Sequence, residues 1–237
     1  MRVDASHRPS SPSDLEARSD QRERAIARTP AASPFLSAII LAAGSSTRMG
    51  RPKQLLPLAG RPLLQHVVDA AAASCLDEII VVLGHRADEV RAALTCPERV
   101  RVVVNPDYAA GQSTSLRAGV RAANPSAAAA AVLLGDQPGV SAQLIDTVAA
   151  AFFNARALVV RPVYGAPNGR RVPGHPVFLA RSVWPDVEAL RGDQGARSLL
   201  AAHPEWLLEV AVEGGVPRDI DTWEEYRVHP QNLAPDK

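Results

Sequence analysis

Short apolar runs, each stopped by glycine, proline or polar residues, constrain this chain more than any other feature. Ser37–Ala43 (SAIILAA) and Glu78–Leu83 (EIIVVL) have the pattern of strands buried on both faces. Val100–Val104 reads as a third strand. Pro62–Ala73 carries apolar residues at helical spacing, and Asp88–Leu94 and Ser115–Ala123 also read as helices. Ala128–Leu134 is alanine-rich, which alone favours helix. Its end runs into Gly135-Asp136-Gln137-Pro138, so a strand entering a loop is the better reading. A helix over Ala142–Phe153 and a strand over Ala157–Arg161 follow. Val172–Leu179 is a strand candidate broken by Gly174 and Pro176. Arg197–Ala202, Leu207–Val212 and Thr222–Arg227 read as helix, strand and a final helical turn. Strands that alternate with helices imply right-handed βαβ units. The expected fold class is α/β: a three-layer α/β/α, Rossmann-like arrangement with a mostly parallel sheet.

Ligands of such sheets gather beyond the carboxyl ends of the strands. Polar chemistry should therefore follow the strands, and it does, at Gly44–Lys53, Asn105–Ser115 and Gly135–Pro138. The strongest of these segments is Leu41–Lys53, LAAGSSTRMGRPK. Small residues such as Ala42, Ala43, Gly44 and Ser45 let backbone N–H groups approach an anion. Arg48 offers a planar fork to phosphate oxygens, and Lys53 a compact positive charge. Neither G-x-x-x-x-G-K-[ST] nor G-x-G-x-x-G is present, which disfavours a P-loop enzyme or a dinucleotide dehydrogenase.

Composition sets the outer bounds. The chain has 237 residues, 46% hydrophobic and 22% charged, with a formal net charge of +1. One domain over residues 34–228 accommodates that length. Residues 1–33 are polar and read as a disordered leader, and 229–237 as a flexible tail. The balanced charge argues against a nucleic-acid or membrane partner. No apolar run is long enough to span a bilayer. The two cysteines, Cys75 and Cys96, lack metal-ligand spacing and read as small apolar residues, buried or half-buried. A reducing, cytoplasmic setting fits.

The run L-A-A-G-x-S-x-R-M-G-x-x-K resembles the signature of the MobA-like nucleotidyltransferases, and among them the molybdenum cofactor cytidylyltransferases. The resemblance extends from about Ser37 to Tyr226. It includes Asn105-Pro106 with Gly111–Leu116, Gly135–Pro138, Gly174-His175-Pro176, Gly192–Arg197 and Asp219–Thr222. It implies transfer of CMP from CTP to the terminal phosphate of molybdopterin, with Mg²⁺, or Mn²⁺ in its place. By the same resemblance Leu41, Ala42, Ala43, Gly44, Ser45, Asn105 and Ser113 contact the nucleotide. Arg48 and Lys53 carry the phosphate charge. Asp136 and Asp221 hold the metal, with Asp136, Arg48 and Lys53 as the catalytic set. His175 and Arg197 hold the acceptor. The guanylyl members tend to show Gly-Gly where this chain has Ala43-Gly44, which favours CTP over GTP. Transient contact with a molybdenum hydroxylase is implied as well.

Simpler roles stand beside these. Asp136 and Asp221 could each cap a helix, and so could Ser113 and Ser115. Arg197 could pair with Asp193 on the surface. The nearest alternative functions are a guanylyltransferase, a transferase with another phosphorylated acceptor, and a non-catalytic cofactor carrier.

Overall fold

The computed structural model describes residues 34–165 and 169–229. The leader expected over 1–33 and residues 230–237 of the tail lie outside them.

The order of elements follows the apolar runs. β1 (Leu36–Ala42) leads through a loop to a small ribbon, β2 (Pro57–Leu58) and β3 (Arg61–Pro62). α1 (Leu63–Ala72), β4 (Glu78–Leu83), α2 (Ala87–Ala93), β5 (Val100–Val104), α3 (Gln112–Ala122) and β6 (Ala129–Leu134) come next. After α4 (Ala142–Ala155) the chain forms β7 (Val159–Gly165), β8 (Arg171–Pro173) and β9 (Val177–Ala180). It closes with α5 (Trp184–Ala189), α6 (Ala196–Ala202), β10 (Leu207–Val212) and α7 (Trp223–Arg227).

Seven strands lie side by side in the order β10-β7-β9-β6-β1-β4-β5, with β8 paired to β7. β1 pairs parallel to both β4 and β6, β4 to β5, and β10 to β7. β9 runs antiparallel between β6 and β7, and β8 antiparallel to β7. The interrupted run Val172–Leu179 is thus two strands, both paired to β7, of which β9 also pairs with β6. Gly174 and Pro176 lie between them.

Alternation along each central strand splits the core in two. Ala38 and Ile40 of β1, Ile79 and Val81 of β4, and Ala131 and Leu133 of β6 face one side. There they meet Val67 and Val68 of α1 and Ile145 and Phe152 of α4. Ile39, Ile80, Val82 and Val132 face the other, against Leu116 of α3, Val187 of α5 and Leu199 of α6. The fold is therefore the α/β/α, Rossmann-like arrangement. The alanines of β6 are fully buried between the two helical layers.

Cys75 and Cys96 depart from expectation, since both are exposed. Each sits in the connector after a helix, outside the layers that would cover it.

Phe178 of β9 is fully buried and stacks on Phe152, with ring centroids 5.9 Å apart. Phe178→Ala should lower the unfolding free energy by about 3–5 kcal/mol, measured by chemical denaturation.

Candidate active site

The loop after β1 is shaped by one buried side chain. Gln54 donates through Nε2 to the carbonyls of Ala42 (2.8 Å) and Gly44 (3.1 Å), and its Oε1 accepts from Ser46 Oγ (3.4 Å). Ser46 Oγ in turn accepts from the Lys53 N–H at 3.1 Å. The loop turns at Ser46 (φ 54°) and Gly50 (φ 68°), both left-handed. This clamp leaves Gly44 and Ser45 exposed at the mouth of a cleft.

Lys53 reaches from this loop to two carboxylates. Its Nζ donates to Asp136 Oδ2 at 2.6 Å and to Asp221 Oδ1 at 2.5 Å. Asp136 follows β6 and Asp221 precedes α7, so three distant segments meet at one ammonium. Burial disfavours the charge on Lys53, but Asp136 and Asp221 outweigh it and raise the pKa above the ordinary lysine value. The second oxygen of Asp136, Oδ1, is buried without a hydrogen-bond partner. Arg48 stands outside, largely exposed, 3.8 Å from Asp221 Oδ2.

Neither carboxylate caps a helix. Ser141 caps α4, accepting from Leu144 N, and Thr222 caps α7 in a capping box with Glu225. Asp219 faces the same region and accepts from Gln137 Nε2 at 2.6 Å. Its pKa is raised, mainly by burial and further by Asp136 and Asp221, against the Gln137 hydrogen bond and Lys53.

Two clefts adjoin here. The first, of about 630 Å³, is lined by Leu41–Ser45, Lys53, Gln54, Tyr108, Gly111, Gln112 and Asp136. The second, of about 740 Å³, is lined by Arg161, His175, Arg197, Asp219 and Asp221 among others. Leu41, Gln112, Leu134 and Asp193 border both.

Asn105 and Ser113 do not line either cleft. Both are buried. Asn105 is spent on structure: Nδ2 donates to Thr114 Oγ1 and Ser115 Oγ, and Oδ1 accepts from Asp107 N. It ties the end of β5 to the start of α3. Gly111, not a serine, is the cap of α3, and Ser113 lies inside the helix. Apart from Arg48, which lines neither cleft, the other residues implied by the resemblance come together: Leu41–Ser45, Lys53 and Asp136 at the first cleft, His175, Arg197 and Asp221 at the second. Gln54, Tyr108 and Arg161 join them without having been singled out in the sequence, and Gln137 joins them from the Gly135–Pro138 motif. A glutamine or tyrosine in a loop carries no periodicity that marks it.

His175 is half-buried. Burial first, then the charges of Arg197 and Arg161, push its pKa from 6.5 down to about 4. In the unfolded chain this histidine takes a proton as the pH falls through 6.5, and in the folded chain only near 4. The unfolded state binds more protons in that window, so stability is full above it and falls as the pH drops. The loss should be on the order of 2–3 kcal/mol, and His175→Gln should flatten it, read from urea denaturation at roughly pH 4.5 and pH 7.5.

A model of the MobA-like NTP transferase domain matches residues 38–206. Nicotine blue oxidoreductase of Paenarthrobacter nicotinovorans is 32% identical over 202 residues, 82% of this chain and 97% of that protein. The purine catabolism protein PucB of Bacillus subtilis is 34% identical over 203 residues, 82% of this chain and 95% of that protein. Among solved structures, Rv0371c of Mycobacterium tuberculosis superposes with a TM-score of 0.72 at 32% identity, covering 82% of this chain and 97% of that one. The mycobacterial protein has also been solved in complex with manganese, with a TM-score of 0.67 over 81% of this chain and 96% of that one. Together with the fold, these matches establish that the chain belongs to the MobA-like NTP transferase family.

Proposed function

We propose that the protein is a divalent-metal-dependent cytidylyltransferase that transfers CMP from CTP to the terminal phosphate of molybdenum-bound molybdopterin and releases pyrophosphate. The observation that carries this reading is the single Lys53 ammonium shared by Asp136 and Asp221 where the two clefts adjoin. The family supplies the nucleotidyl-transfer class. The CTP choice rests on Ala43-Gly44, and the molybdopterin acceptor rests on the resemblance of the Gly174–Pro176 and Gly192–Arg197 motifs.

The residues present fit a divalent ion. Magnesium takes one or two carboxylates, with phosphate oxygens and water completing its shell. Asp136 offers a buried oxygen without a hydrogen-bond partner, and Asp221 a second carboxylate beside it. Among the described residues no group of three or more His, Cys, Asp or Glu forms a self-sufficient metal site. That agrees with a shell completed by the substrate. The manganese complex of the mycobacterial relative is consistent with such a role. Mg²⁺ or Mn²⁺ held by Asp136 and Asp221 would supply charge neutralisation on the phosphates.

The chain's own residues do the rest. Leu41–Ser45, clamped by Gln54, hold the nucleotide in the first cleft. Lys53 and Arg48 neutralise the departing pyrophosphate. The acceptor sits in the second cleft against His175, Arg197 and Arg161. A phosphate monoester has its second pKa near about 6, so its oxygen is already anionic at neutral pH. The attack on the α-phosphorus needs alignment and charge stabilisation, not a general base. The new O–P bond forms as the bond to the β-phosphate oxygen breaks. The reaction belongs in the cytoplasm, followed by transient hand-over to a molybdenum hydroxylase. A carrier without catalysis has no use for the Lys53–Asp136–Asp221 grouping.

Purified protein should release pyrophosphate when mixed with Mg²⁺, molybdenum-loaded molybdopterin and CTP, and give a cytidine dinucleotide. Release with GTP instead would overturn the donor assignment while leaving nucleotidyl transfer intact. Silence with both, from folded protein, would overturn the acceptor or the catalytic reading. Asp136→Ala should abolish turnover with the circular dichroism spectrum unchanged, and full activity in that variant would remove Asp136 from the mechanism.

A further inference from the structure

The first cleft has a direction. Its lining comes from the carboxyl ends of β6 and β1 and from the segment beyond β5, strands that lie in the order β6-β1-β4-β5. Asp136 follows β6, the Lys53 loop follows β1, Gly84 follows β4, and Tyr108 lies beyond β5. Neighbouring strands are about 4.8 Å apart, so β6 and β5 are separated by roughly 14 Å. Of the charged groups that line the cleft, Lys53 and Asp136 belong to the β6–β1 side and Asp193 comes from the segment between α5 and α6, while Tyr108 belongs to the β5 side.

Tyr108 is the one aromatic side chain among the described residues lining this cleft. Its position is built in. A Cβ added at Gly84 would lie 2.5 Å from Tyr108 Cβ, 2.6 Å from its Cγ and 2.8 Å from the Ala43 carbonyl. Only a residue without a side chain lets the tyrosine seat so closely against the backbone that carries the small-residue wall. His85 donates its backbone N–H to the same Ala43 carbonyl at 3.2 Å. Its ring meets Tyr108 edge-on, with centroids 6.1 Å apart and planes at 63°. The half-buried ring is thus supported from behind while bordering the cleft.

We propose that Tyr108 is the nucleobase platform of the cleft, with the base stacked on its ring and the phosphates directed toward Lys53 and Asp136. This assignment rests on the reading of the first cleft as the nucleoside triphosphate site. Stacking on an aromatic ring tolerates any base, because every base has a π-face. Tyr108 therefore supplies affinity, whereas the choice between CTP and GTP stays with the Ala42–Gly44 wall.

Calorimetric titration of the full chain with CTP, GTP and inorganic tripolyphosphate tests this. Tyr108→Ala should weaken CTP by about ten-fold or more, and weaken GTP by a similar factor if it binds. Tripolyphosphate, which has no base, should keep its affinity, and so should CTP with Tyr108→Phe. Tyr108→Leu, which fills the seat on Gly84 without a π-face, should behave as Tyr108→Ala and guards against a loss caused by misfolding. Unchanged CTP affinity in Tyr108→Ala and Tyr108→Leu would overturn the assignment while the donor reading stands. Equal losses for tripolyphosphate and CTP would also overturn it, since Tyr108 would then be shaping the phosphate loop. Wild-type protein that binds no nucleoside triphosphate would remove the donor reading and this assignment together.

Discussion

The contact on which the site depends is the ammonium of Lys53 held between Asp136 and Asp221. Two carboxylates brought this close repel, and the lysine compensates them. Lys53 and Asp136 are mostly buried, at 14% and 21% side-chain exposure, while Asp221 is 42% exposed. Desolvating such charges costs much of what their attraction returns, so the group is weak evidence for stability. Removing one partner is another matter, because it strands a charge. A network of this kind makes chemical sense where phosphate and a divalent cation enter and redistribute its charges.

The packing around it explains how residues so far apart in sequence meet. Met49, Leu56, Leu63 and Ile220 form a small core of their own, with Trp223 and Tyr226 packed against it. The Tyr226 hydroxyl donates to the Pro57 carbonyl, and Arg51 lies over the Trp223 ring at 5.1 Å. Ile220 N donates to the Asp136 carbonyl at 3.1 Å. Hydrophobic contact thus pins the segment before α7 to the loop after β1 and delivers Asp221 to Lys53. Asp219 and Asp221 lie beyond the region matched by the family model, residues 38–206, yet they complete the charged group.

The central strands were legible because burial on both faces leaves an uninterrupted apolar run, and the ends of β4, β5 and β10 agree with the residues read from sequence. β6 was legible only through the glycine and proline that stop it, since its alanines favour helix. The β2–β3 ribbon was not legible. Its turn needs positive φ at both Ala59 (46°) and Gly60 (74°), and alanine gives no hint of that conformation. α5 was hidden by its brevity and by Pro185 within its first turn. In the site, Arg48 and Lys53 stood out because phosphate chemistry needs them, Asp136, Asp221 and Arg197 through the resemblance of their motifs, and Arg161, inside a strand, did not. Gln54 did not, because its work is to hold two carbonyls. Asn105 was read as a ligand contact because the pattern marks its presence but not its task, and its amide is consumed in fastening β5 to α3.

The central claim is that Asp136 and Asp221, compensated by Lys53 in the free protein, become a cation site once a nucleotide supplies phosphate oxygens. Manganese electron paramagnetic resonance in the presence of CTP tests it most directly. Wild-type protein should take up Mn²⁺ together with the nucleotide, and Asp136→Asn should lose that bound signal. Equal Mn²⁺ uptake by Asp136→Asn and wild type would contradict the account.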